Sequence, residues 1–214
     1  MKVLFTGFDP FGGATINPAY EAIKLLPDTI AGAEIIKVEI PTVFRKGAEA
    51  MIAAVEEHKP DYVICVGQAG GRATVTPEFV GINYQDARIP DNEGRQPFGE
   101  IIKEDGATAY FTKLPVKAMV QNMRDAGIPA SISYTAGTYV CNDVMYHLLY
   151  CIEKKWPDII GGFIHVPYAS SQVVNMAATT PSLSLQMISD SLRIAVETTL
   201  ATKEDLAVAG GETH

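Results

Sequence analysis

Two hydrophobic periods alternate along the chain. Short apolar runs of strand type are separated by longer stretches whose apolar residues recur three and four positions apart. The runs "KVLFTG" (2–7), "AEIIKVEIP" (33–41), "DYVICVG" (61–67) and "DIIGGFIHVP" (158–167) predict strands, and a β-prone run predicts another over 129–135. "NPAYEAIKLL" (17–26) predicts a helix with Asn17 as N-cap, Pro18 at its first position, and Ala19, Ala22, Ile23 and Leu26 on its apolar face. Further helices are predicted over 45–58, 115–126 and 181–200, and one opens at Val140. In that helix Val140, Val144, Met145, Leu148, Leu149 and Ile152 share one face. Segment 77–90 is β-prone and loop-like, with no helical period. The tail "AVAGGETH" (207–214) reads as frayed.

Strands alternating with helices predict an α/β fold: a three-layer α/β/α sandwich around a mostly parallel, mixed central sheet. A length of 214 residues fits one domain over 1–214, and no repeat, low-complexity segment or linker divides it.

Composition narrows the function. The hydrophobic share of 47% supplies a sizeable core. The net charge is −8, with only 17 Lys and Arg and no basic block. This argues against a nucleic-acid partner, whose phosphates need neutralising, and against an anionic membrane surface. Asp9 and Pro10 interrupt the first apolar run too early for a signal peptide, and no stretch has the length of a membrane span. Cysteines at 65, 141 and 151 show neither disulfide nor zinc spacing. A cytoplasmic protein without metal or cofactor is the expectation. "GQAGGR" (67–72) resembles a phosphate cradle but lacks the Lys-Ser/Thr pair that would follow its glycines.

In open α/β sheets, ligands bind beyond the carboxyl ends of the strands. Gln68 and Glu78 follow strand 61–67, Cys141 follows strand 129–135, and His165 ends strand 158–165. One helix joins the last two strands, so they should be parallel and close, bringing Cys141 and His165 within hydrogen-bonding reach. His147 lies roughly 240° around the helix from Cys141. His58 sits in a charged helix end, where solvation is expected, and His214 is the last residue.

Cys141 has two open readings at this point, a small core hydrophobe or a nucleophile. A helix N-terminus favours a thiolate, and its free amides can bind an oxyanion. An acid such as Glu78 could orient the imidazole. Cys65 and Cys151, in apolar surroundings, read as packing residues. A glutaminase-like amidase and a binding protein that keeps only the fold are the rival functions. The missing C-x-x-C argues against thiol redox chemistry.

The stretches "GFDPFGG" (7–13), "NPAYEA" (17–22), "PTVF" (41–44), "GQAGGR" (67–72), "TPE" (76–78), "DARIPDNEG" (86–94), "SYTAGTYVCN" (133–142), "GFIHVPY" (162–168) and "PSLSL" (181–185) together resemble the type I pyroglutamyl peptidase family. They occur in that family's order and span nearly the whole chain. The resemblance implies a cysteine peptidase that removes N-terminal pyroglutamate, with Glu78, Cys141 and His165 as triad and Arg88 close to the centre. It further implies a pocket lined by Phe8, Phe11, Thr42, Ile89, Tyr139 and Val140, with Gln68 and the backbone around Phe11 as partners of the lactam. A homotetramer is implied as well. The chain departs from the family pattern at Phe79, where Arg is common, and at Asp143, whose charge would oppose the helix dipole at the thiol.

Overall fold

The computed structural model describes residues 1–211. Its elements in chain order are β1 (Lys2–Phe8), α1 (Pro18–Lys24), β2 (Thr29–Ile30), β3 (Ala33–Ile40), α2 (Lys46–His58), β4 (Tyr62–Gln68), β5 (Thr76–Glu78), β6 (Val80–Ile82) and β7 (Ala109–Phe111). After these come α3 (Val116–Asp125), α4 (Val140–Lys154), β8 (Ile160–Val166), β9 (Tyr168–Ala169), a 3-10 turn (Ser170–Gln172), β10 (Ser182–Leu183) and α5 (Leu185–Ala201).

Six strands form the main sheet in the order β2-β3-β1-β4-β8-β5. The central four, β3, β1, β4 and β8, run parallel, while β2 and β5 close the edges antiparallel. The central strands are buried on both faces, so their sequences read as continuous apolar runs. Strand alternation still sorts the side chains by face. Phe5, Ile64, Val66, Ile164 and Val166 meet α1, α3 and α5 on one side. Leu4, Val63, Cys65 and Phe163 meet α2 and α4 on the other. The result is the expected α/β/α sandwich.

Caps set the helix boundaries. The Asn17 side chain accepts from the Ala19 amide at 3.1 Å, and Pro18 follows it. The last helix starts four residues later than its periodicity suggests. Ser184 caps it through Met187 N (3.1 Å), and residues 182–183 instead pair with β9.

Segment 129–135 departs from its expectation of a regular strand parallel to β8. It meets β5 and the residue before it through two isolated parallel bridges, Val75 with Ala130 and Glu78 with Ser133. The ladder breaks between them because Pro77 has no N–H to give the Ser131 carbonyl. Since β5 lies between this segment and β8 and runs against it, the segment is antiparallel to β8 and one place removed. Over its described residues, 207–211, the tail also departs from its frayed reading: Lys117 Nζ donates to the Val208 carbonyl at 2.7 Å, and the Tyr134 hydroxyl to that of Gly210 at 2.9 Å. His214 lies outside the described residues.

Candidate active site

Sheet register assembles the site. Gly67 of β4 lies beside His165 of β8, and across the other edge Thr76 pairs with His165 and Glu78 with Phe163. Alternation turns His165 to the same face as Phe163, the face covered by α4. Helix α4 is the connection leading into β8 and runs against it, so its first turn lies over the carboxyl end of β8. That places Cys141 there. The preceding segment 129–135 does not bring Cys141 there as a strand parallel to β8, contrary to the sequence argument.

Glu78 is fully buried, and its Oε1 lies 2.7 Å from His165 Nδ1. The same oxygen accepts from Arg72 Nη1 at 2.6 Å. Arg72 is itself tied to Thr76 Oγ1 (2.6 Å) and the Thr135 carbonyl (3.1 Å). With Nδ1–H donated to Glu78, the other ring nitrogen is the one left to accept a proton. No hydrogen bond joins the Cys141 sulfur to the ring in this structure, but both residues line one hollow of about 350 Å³. Burial, and then the Glu78 carboxylate, push the Cys141 thiol up to about 12, with Arg72 and the cysteine's own amide acting in the other direction. These surroundings oppose the acidifying effect that the helix N-terminus alone would have.

Three amides of α4, those of Val140, Cys141 and Asn142, precede the first intrahelical donor, Asp143 N to Tyr139 O (3.2 Å). They are the free donors of the helix start. Asp143 does not load the thiol. Its carboxylate is buried and accepts from Arg45 N (2.9 Å) and Gln85 Nε2 (2.6 Å), with His147 Nδ1 3.2 Å away. His147 thus faces Asp143, away from the sulfur. His58 is half-buried at the end of α2, and its carbonyl accepts from Lys2 Nζ. Phe79 packs on Phe111 and Tyr134, with ring centroids 5.2 and 5.7 Å apart. Cys65 and Cys151 are buried packing residues.

Phe8, Phe11, Thr42, Gln68, Arg88, Ile89 and Tyr139 all line the hollow. Val140 does not; it is fully buried in the core beneath α4. Tyr139 is wedged between aromatic rings, 6.2 Å from Phe11 and 5.3 Å from Phe44. Two site residues carry no chemical signal of their own in sequence. Arg72 closes the "GQAGGR" stretch, six residues before the Glu78 it binds. Gly67 makes room for the sulfur: a Cβ there would sit 2.9 Å from Cys141 Sγ and 2.8 Å from Phe163.

A partly exposed thiol and a carboxylate-held imidazole, sharing a hollow at the carboxyl end of a parallel sheet, define a cysteine hydrolase of the acyl-transfer class. The family model for pyroglutamyl peptidase matches residues 1–202. A pyrrolidone-carboxylate peptidase of Enterococcus faecalis is 60% identical over the whole of both chains, and one of Clostridium botulinum is 58% identical over 99% of each. The crystal structure of pyroglutamyl peptidase I from Bacillus amyloliquefaciens superposes with a TM-score of 0.94 at 49% identity, covering 97% of this chain and 99% of that one. The chain belongs to the pyroglutamyl peptidase family. Among the described residues, no helix is long and apolar enough to cross a membrane.

Proposed function

We propose that this chain removes N-terminal pyroglutamate from peptides, with Cys141 as nucleophile, His165 as acid and base, and Glu78 as the group that orients His165. The observation that carries this reading is the 2.7 Å contact between Glu78 and His165 beside a hollow shared with Cys141. His165 Nε2 takes the thiol proton as the sulfur bonds to the pyroglutamyl carbonyl carbon. The oxyanion is held by the free amides of the α4 first turn, with Arg88 at the rim. The C–N bond then breaks, and His165 returns the proton to the leaving amine. Water attacks the thioester and gives a proton to His165. The C–S bond breaks, and that proton restores the thiol. With the thiol's acidity weakened by its surroundings, the imidazole acts first as a base. The proposal includes a cytoplasmic location, on three free cysteines, and a homotetramer, on the family resemblance.

Specificity arises from the hollow. Its apolar side chains suit a small ring, while Gln68 offers one defined polar contact. Gln68 Oε1 already accepts from Gln172 Nε2 at 2.9 Å, so its own amide N–H is free to donate to the lactam carbonyl. The lactam N–H finds a backbone carbonyl around Phe11. Proline lacks the carbonyl and carries a charged amine that would be stripped of water. Release of a fluorescent amine from the prolyl amide is expected to be slower than from the pyroglutamyl amide by about 10³-fold or more. Comparable rates on both, or no release by folded, reduced protein, would sink the proposal.

Gly67→Ala tests the packing behind the nucleophile. The added methyl must displace the sulfur or the Phe163 ring, and a misplacement near 1 Å costs about 10²-fold in turnover. A fall in kcat/KM of that order in a variant whose melting temperature stays near that of the parent is expected. Unchanged kcat/KM would mean the sulfur has slack.

A further inference from the structure

The first hollow accounts for the acyl half of a pyroglutamyl peptide, and the other half must lie elsewhere. No residue precedes pyroglutamate, so the remaining chain runs in one direction only from the scissile carbonyl. A volume of about 350 Å³ suits the lactam and its carbonyl, with no room for several residues more. A second hollow of about 650 Å³ adjoins it, and Phe11, Gln68, Arg88 and Ile89 belong to the walls of both. Resting on the peptidase reading above, we infer that this second hollow binds the leaving side of the substrate, the two or three residues that come after pyroglutamate.

Three observations support it. The partition between the hollows is fixed: Gln172 donates to Gln68 Oε1 (2.9 Å) and accepts from Ala169 N (2.9 Å). A chain threading from one hollow to the other therefore meets a set shape. The walls also suit a peptide. Ser171 brings a hydroxyl, Gly12 and Gly13 expose backbone without side chains, and Met176, 46% exposed, offers an adaptable apolar surface. Finally, no Asp or Glu lines this hollow, although the whole chain carries −8. Its one cation, Arg88, is exposed and has no hydrogen-bond or ion-pair partner among the described residues. A peptide carbonyl or carboxylate is the complement to that charge.

The test keeps one scissile bond and varies only the length of the leaving peptide. Pyroglutamyl-alanine amide and pyroglutamyl-trialanine amide are compared in the parent, Ser171→Trp and Met176→Ala proteins. Remote binding energy should raise kcat/KM about tenfold from the shorter to the longer substrate in the parent. Ser171→Trp fills the hollow and should cut that gain to about twofold, and Met176→Ala should reduce it less, because it removes only one apolar contact. Cleavage of the short amide with no gain from length overturns the inference while leaving the peptidase reading intact. So does a full gain retained in both variants. Cleavage of neither substrate overturns both.

Discussion

Cys141→Ser is expected to lower turnover of a pyroglutamyl amide by on the order of 10⁴-fold or more, with little change in melting temperature. The substitution exchanges one atom of similar size in a partly exposed position, so folding should survive it. The chemistry should not. A hydroxyl is a far weaker acid than a thiol, and the surroundings already resist a negative charge at this point: burial and the Glu78 carboxylate push even the thiol up to about 12. An alkoxide would be harder still to generate. Residual cleavage by the serine variant near the parent rate would show that Cys141 packs rather than attacks, the other of its two sequence readings. Intact-mass detection of an acyl adduct on the parent, absent from the variant, is the companion measurement.

His165→Gln should be nearly as damaging at neutral pH, by about 10³-fold or more. Glutamine keeps a donor for Glu78 but cannot carry a proton away from the sulfur. The direction of the thiol shift then fixes the pH dependence. With its acidity weakened to about 12, Cys141 is expected to carry very little thiolate at pH 7 without the imidazole. Once the imidazole is gone, the thiolate available from solvent limits the rate. The thiolate fraction rises tenfold for each pH unit below about 12, so the variant should gain activity steadily with pH where the parent levels off. A variant rate that is flat between pH 7 and 9 would mean that the sulfur already rests as a thiolate and that His165 serves another purpose.

The apolar runs and helical stripes identify most elements because burial on one or two faces leaves a period in the sequence. Strands β1, β3, β4 and β8, and the helices α1 to α4, lie within a few residues of their expected places. Helix α5 starts later because a local cap at Ser184, not periodicity, decides its first residue. The lost strand over 129–135 has a non-local cause. Its hydrogen-bond partner is Pro77, about fifty residues earlier, and nothing in the segment itself announces a missing donor. Cys141 and His165 are legible as chemical types at element ends. Both line one hollow, but no hydrogen bond joins them, and the expected route through adjacent parallel strands is not the one the chain takes.

By itself the sequence determined the alternation of strand and helix, the acidic balance, the residue types able to do acyl transfer, and, through its ordered motifs, the family. Tertiary structure alone decided the rest. It selected Arg72 as the partner of Glu78 and removed Val140 from the pocket wall. It also left Gly67 bare beneath the sulfur and turned Asp143 toward Arg45 and Gln85 instead of the thiol. Each of these depends on the register between strands or the facing of a helix, which bring residues far apart in the chain to within a few ångströms. Local periodicity shows which face of an element is buried, but not what lies opposite it. The acidity of Cys141 is the clearest case. Its position at a helix start argues for a thiolate, and only the packed surroundings, with the Glu78 charge nearby, reverse the sign.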